Sequence, residues 1–226
     1  MSSRREEIAS ALAQVRGRVE AAALGAGRDP GEVELIVVTK SFPVSDAQIL
    51  YEFGVRHMGE NRDDQGQLKA AAMSGREDLT WHFQGQVQSR KIASISEWAR
   101  VIHSLDDLSH ARKFANLLED HQFFIQVNFE PAREDRGGVA PNALAEFLAQ
   151  LPETLLPRVV GLMCVAPIDQ DPAETFGSLA ELRSALAVDF PGLVQLSMGM
   201  SNDFEAAIAQ GATQIRVGSS ILGSRA

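Results

Sequence analysis

Eight short apolar runs, each followed by a stretch with helical signals, constrain this chain more than any other feature. They span 33–39 (VELIVVT), 55–59 (VRHMG), 79–84 (LTWHFQ), 100–103 (RVIH), 122–128 (QFFIQVN), 158–163 (RVVGLM), 193–197 (LVQLS) and 213–217 (TQIRV). Leu35, Ile36, Val37 and Val38 do not alternate with polar residues, so the first run reads as a strand buried on both faces. Helix starts and stops fall between the runs: Ser45 and Asp46 with Gly54, Asp106 and Asp107, Pro141 and Asn142, and Pro172. Asn202 and Glu205 have capping-box spacing, with Gly211 as the stop. Strands alternating with helices give parallel pairing, and eight such units favour a closed (β/α)8 barrel over an open sheet. An amphipathic segment, residues 1–24, reads as a surface helix outside the barrel. No linker divides the chain, so residues 1–226 are expected to form a single α/β domain. Its densest loop is FEPAREDRGG (129–138), a mobile excursion after the fifth strand, and APIDQDP follows the sixth.

Charge and composition exclude several classes. A net charge of -9 argues against nucleic-acid binding, which is carried by clustered Lys and Arg. No run has the length of a membrane span, and the N-terminal segment lacks the apolar core of a signal peptide. A lone cysteine, Cys164, excludes an internal disulfide or a multi-cysteine metal site. His57, His82, His103, His110 and His121 show no metal-ligand spacing, so no metal is assigned. These observations suggest a soluble, cytoplasmic protein.

In a (β/α)8 barrel, active sites are built at the carboxyl ends of the strands, with phosphate often held after strands seven and eight. Here those exits supply Lys40, Glu60 and Asn61, Gln84, His103, Asn128, Cys164, Ser197 to Ser201, and Arg216 to Ser220. LSMGMSND and IRVGSSILG place Ser197, Gly199 and Ser201, then Gly218, Ser219 and Ser220, before two helices. Hydroxyls, bare glycine backbone and free N–H groups converging from neighbouring strands form an anion cradle. As single loops they would read as ordinary helix-capping turns. Lys40 has two readings: a snorkelling lysine at the rim, or a desolvated amine able to attack a carbonyl. An aldehyde carrying a phosphate would satisfy amine and cradle together.

The motifs VVTKSFP, HMGENRDDQ, WHFQGQVQSRK, IHSLD and LSMGMSNDFEAAIAQGATQIRVGSSILGSR together resemble the YggS/PROSC family of pyridoxal 5'-phosphate (PLP) homeostasis proteins. The resemblance covers nearly the whole chain. It implies a single barrel related to the N-terminal barrel of alanine racemase, with PLP held as a Schiff base on Lys40. By the same analogy Ser197, Met198, Ser201, Gly218 and Ser219 would line the phosphate, and Arg216 would face the pyridine nitrogen. Asn61 would contact the cofactor ring or cap the following helix. Gln86, Val87 and Arg90 depart from the family's usual G-H-L-Q-x-N-K pattern, which puts in doubt only the role of the absent histidine.

Arg216 bears on chemistry. A guanidinium donates to the ring nitrogen and keeps it unprotonated, which weakens the electron sink. A two-base racemase also needs a second acid/base, and Tyr51, the only tyrosine, belongs to the first barrel helix. A carrier or regulator of intracellular PLP is therefore expected, with PLP-dependent apoenzymes as its partners. The alternatives are a PLP-dependent amino-acid racemase, for which Cys164 is the remaining thiol, and a cofactor-free Schiff-base aldolase. His82 and His103 read as structural histidines, Glu60 as a neutraliser of a neighbouring cation, and Trp81 and Trp98 as packing.

Overall fold

The computed structural model describes residues 3–117, 120–130 and 137–223. Its strands are β1 (Glu34–Val38), β2 (His57–Glu60), β3 (Thr80–Phe83), β4 (Val101–Leu105), β5 (Gln122–Gln126), β6 (Val159–Met163), β7 (Gln195–Ser197) and β8 (Gln214–Val217). They form a closed parallel barrel in sequence order. The ring shuts where β8 pairs with β1, from Glu34 beside Gln214 to Val37 beside Val217. All eight expected strands are present, within a few residues of their expected ends.

Around the ring lie α2 (Val44–Glu52), α3 (Asp63–Ala72), α4 (Ile92–Trp98), α5 (Leu108–Ala115), α6 (Leu144–Ala149), α7 (Pro172–Leu186), α8 (Phe204–Ala209) and α9 (Ser219–Leu222), preceded by α1 (Arg4–Gly25). Outward strand residues such as Val37, Met58, Phe83, Phe123, Leu162 and Ile215 join the helices in one large apolar core. Inside the ring, Val101, Phe124 and Met163 form a small apolar cluster with Val160 against them, and Ile36 is fully buried beside Arg216. His82, His103, Ser197 and Arg216 are buried as well. The strands are thus covered on both faces, as continuous apolar runs predict, but the lumen holds polar side chains that those runs do not advertise.

α1 buries Ile8, Leu12, Val15, Val19 and Ala23, a stripe at helical spacing. Ser3 and Glu6 form a reciprocal capping box at its start. The helix packs on α2, α8 and α9. Arg4 reaches both Asp46 (2.6 Å) and the carbonyl of Leu222 (3.0 Å), tying the first helix to the last.

Two expectations need correction. Asn202 and Glu205 do not cap α8, which starts at Phe204 after Asp203; the Asp203 carboxylate instead accepts the N–H of Met200 at 2.5 Å, because the chain turns before it coils. The fourth strand runs past His103 to Leu105, so His103 lies inside the ring and not at an exit. Most of the FEPAREDRGG excursion, residues 131–136, lies outside the described residues.

Two glycines test this packing in opposite directions. A Cβ at Gly161 would sit 2.0 Å from the carbonyl oxygen of Gln195, forcing β6 from β7, whereas one at Gly17 in α1 meets nothing within 4 Å. In equilibrium urea unfolding, Gly161→Ala is expected to cost about 1–3 kcal/mol or more, and Gly17→Ala to add about 0.5–1 kcal/mol.

Candidate functional site

A cavity of about 540 Å³ opens at the carboxyl ends of the strands, within the range of small-molecule sites. Lys40 and Phe42 enter it after β1, Gln84 after β3, the loop from Ala166 to Pro172 after β6, Met200 to Asp203 after β7, and Arg216, Gly218 and Ser219 from β8.

The exit of β1 is pinned from below. The N–H of Thr39 donates to the carbonyl of Gly59 (2.9 Å), its hydroxyl to Glu60 Oε1 (2.7 Å), and its own carbonyl accepts from Lys69 Nζ (2.8 Å). Lys69 and Glu60 form a buried ion pair at 2.5 Å. Removing one partner of such a pair costs about 3–5 kcal/mol, so the platform beneath Lys40 is rigid. Ser41, the next residue, has φ 70°, a left-handed conformation that a serine adopts only under constraint. The N–H of Phe42 closes the turn onto the carbonyl of Thr39 at 3.1 Å. Glu60 Oε2 and Gln84 Nε2 are buried with no hydrogen-bond partner among the described residues. Gln84 therefore brings an unspent donor to the cavity wall.

Across the cavity, the loops after β7 and β8 meet at Ser201. Its hydroxyl faces the N–H groups of Gly218 (3.3 Å) and Ser220 (3.4 Å), and the Ser220 hydroxyl donates to the Ser201 carbonyl at 3.3 Å. Gly199 makes this turn possible. At φ 90° it tolerates no side chain, and a Cβ there would lie 2.6 Å from that of Ala207. N–H groups and hydroxyls so gathered can accept an anion without a nearby cation.

Arg216 forms the buried wall. It donates to Ser197 Oγ (2.7 Å) and to the Cys164 carbonyl (2.9 Å) and makes no ion pair among the described residues. Burial lowers its pKa, against a smaller opposing pull from the Asp203 carboxylate at the same cavity. The Cys164 thiol is buried, and burial pushes its pKa up to about 12.

The fold thus brings Lys40, Ser201, Arg216, Gly218 and Ser219 to one cavity. Three further expected residues do not line it. Ser197 is fully buried below, its hydroxyl engaged with Arg216 and His103. Met198 turns into the outer core, and its N–H donates to the Gln214 carbonyl at 3.1 Å. Asn61 is exposed in a separate hollow with Arg62, Gln86 and Lys91, because the chain leaving β2 turns outward towards α3; it makes no cap there, as Arg62 occupies the N-cap position. Sequence reading missed Lys69, the cation that Glu60 neutralises, whose partner lies in another element. It also missed Asp203 and Phe42, which only the loop geometry places at the cavity.

His82 and His103 are structural histidines in one sense: both are fully buried and hydrogen-bonded to each other at 2.9 Å. His103 also stacks flat on Phe124, with ring centroids 4.7 Å apart. The fold brings Glu34, His57 and His82 within 4.8 Å of one another, a grouping that sequence spacing did not show. Burial holds both His82 and His103 well below the ordinary imidazole pKa of 6.5. The unfolded chain therefore takes up protons near pH 6.5 that the folded chain refuses. Stability is full above that pH and falls as the pH drops below it, by up to about 1.4 kcal/mol per pH unit for each histidine. Urea unfolding of wild type and His82→Gln between pH 7.5 and 5 checks this, with a shallower fall expected for the variant.

Residues 25–226 match the family model described as alanine racemase, N-terminal domain. The chain is 36% identical to the pyridoxal phosphate homeostasis protein of Mycobacterium bovis, over 98% of this chain and 94% of that one. It is also 36% identical to the protein of that name from Pseudomonas aeruginosa, over 96% of both. Among solved structures, PipY of Synechococcus elongatus with PLP bound superposes with a TM-score of 0.81 at 33% identity, covering 96% of this chain and all (100%) of that one. The alanine racemase of Corynebacterium glutamicum shares the fold alone, with a TM-score of 0.64 at 13% identity over 96% of this chain and 60% of that one. With the barrel, the cavity and these likenesses together, the chain belongs to the family of pyridoxal phosphate homeostasis proteins, built on the alanine racemase N-terminal domain.

Proposed function

We propose that this protein binds PLP in the cavity at the strand exits, as a Schiff base on Lys40, and serves as a carrier or regulator in PLP homeostasis. The observation that carries this reading is the convergence, on one cavity, of the Lys40 amine with the Ser201, Gly218 and Ser219 cradle. When bound, the cofactor supplies an aldehyde that condenses with an amine, losing water. Lys40 supplies that amine from a backbone fixed by the buried Lys69–Glu60 pair. Ser201 and the N–H groups around it receive the phosphate, a dianion that a hydroxyl and backbone donors hold without a cation. Arg216, held by Ser197 and the Cys164 carbonyl, presents its remaining donors to the ring nitrogen. Gln84 adds a further donor at the wall. No helix among the described residues is long and apolar enough to cross a membrane.

A carrier fits better than a racemase on two observations. The Tyr51 hydroxyl donates to Asp78 at 2.6 Å on the outer face of the barrel, and the Cys164 thiol is buried with its pKa near 12. Neither group is placed to exchange a proton with a substrate in the cavity. An aldolase using Lys40 on a phosphorylated sugar has no need of a buried Arg216. PLP-dependent apoenzymes are the recipients this reading implies.

Borohydride reduction of the PLP-loaded protein followed by peptide mapping is expected to label Lys40. Lys40→Ala should then lose covalent cofactor entirely; label retained at full stoichiometry would remove Lys40 from the role. Ser201→Ala is expected to weaken PLP binding about tenfold or more, the loss of a hydrogen bond to a charged group. Its affinity for pyridoxal, which lacks the phosphate, should be unchanged when both are followed by absorbance titration.

A further inference from the structure

Arg216 is buried, and the Asp203 carboxylate that shares its cavity makes no ion pair with it. A continuous series of contacts leads away from it through the barrel. Arg216 Nη1 donates to Ser197 Oγ (2.7 Å), which lies 2.8 Å from His103 Nδ1. His103 Nε2 is 2.9 Å from His82 Nδ1, and His82 Nε2 is 3.0 Å from His57 Nδ1. His57 Nε2 then meets Glu34 Oε1 at 2.8 Å. Arg216 belongs to the cavity wall, whereas Glu34 and His57 begin β1 and β2 and line a hollow at the opposite end of the barrel. The series therefore spans the lumen from one mouth to the other.

We propose that Glu34, His57, His82, His103 and Ser197 form a one-directional hydrogen-bond relay that positions and polarises Arg216, with Glu34 as its terminal acceptor. The direction follows from donor arithmetic. A carboxylate only accepts, so His57 carries its proton on Nε2. A neutral His57 then offers a lone pair on Nδ1, which calls for a proton on His82 Nε2, and the same step repeats at His103. Ser197, accepting from Arg216, completes the series by donating its hydroxyl proton to His103 Nδ1. Each imidazole joins through Nε2 on one side and Nδ1 on the other, so a single tautomer satisfies every nitrogen in the series. Burial keeps His82 and His103 neutral, as this arrangement needs. The stack of His103 on Phe124 fixes the ring at the step where the relay leaves β4 for β7. Aligned dipoles in a low-dielectric lumen reinforce one another, and their negative ends point towards the guanidinium. On the proposed PLP site, the donors that Arg216 turns to the cofactor ring are then set partly by Glu34.

The test separates the two ideas. Long-range 15N–1H correlation spectra of the protein without added PLP, near pH 7.5, should show His57, His82 and His103 all neutral and protonated on Nε2. Protonation on Nδ1 at any of the three, or a doubly protonated His57, would overturn the relay whether or not PLP binds. Glu34→Gln should shift the nitrogen signals of His82 and His103 and, in PLP-loaded protein, displace the cofactor absorption band at unchanged stoichiometry. Glu34→Asp should restore both. A Glu34→Gln variant whose effect stops at His57, with His103 and the band unmoved, would reduce the series to local packing. Stoichiometric Zn²⁺ uptake that displaces the His57–His82 hydrogen bond would likewise replace the relay with a cation site.

Discussion

A charged side chain enclosed in the barrel is the constraint around which the rest of the lumen is arranged. Arg216 stands on β8, one residue short of its end, surrounded by strands on every side. Moving a guanidinium out of water costs several kcal/mol unless its donors find partners. Ser197 and the Cys164 carbonyl supply two of these from β7 and the exit of β6. The polar lumen of His82, His103 and Ser197 makes sense on this footing: an apolar filling would have left the guanidinium unpartnered. The barrel interior is accordingly mixed, with Phe124, Met163 and Val101 packed together as a small apolar cluster.

At the opposite wall a buried charge is instead paired with another. Lys69 and Glu60 are both buried, and their pairing would add little by itself, because desolvation offsets most of the attraction. What the pair accomplishes is geometric: Lys69 also grips the Thr39 carbonyl and Glu60 the Thr39 hydroxyl, which fixes the backbone immediately before Lys40. Ser41 in its left-handed conformation then turns the chain away, so the amine stays at the mouth. Two buried cations therefore flank the cavity, Lys69 beneath the exit of β1 and Arg216 at the wall from β8, while the turns that meet at Ser201 bring hydroxyls and backbone N–H groups together. The division suits a ligand that carries an aldehyde, a ring nitrogen and a phosphate at separate points.

Strand count, parallel order, Lys40 and the two serine-glycine turns were legible in the sequence, because each is written in local pattern: apolar runs between helix signals, and glycine with hydroxyl residues at the carboxyl ends. Several expected residues lie away from the cavity for reasons that local pattern does not carry. Ser197, Met198 and Ser201 lie within five residues in LSMGMS, yet only Ser201 reaches the cavity, since alternation along β7 and the turn at Gly199 send each side chain to a different place. Asn61 read as an exit residue by position, but the chain turns outward after β2 before it can face the mouth. His103 ended the fourth strand in the sequence because an imidazole breaks an apolar run, whereas in the fold it is satisfied by His82, Ser197 and Phe124.

Local pattern was enough for the closed ring of eight strands and for the polar residues gathered at its carboxyl ends, because periodicity and strand-exit residues are local properties. Tertiary structure decided which polar side chains share a hydrogen bond. Glu34, His57, His82, His103, Ser197 and Arg216 come from six different strands spread between the first and the last. Only barrel closure brings those strands around a common axis, so no spacing along the chain can encode that contact.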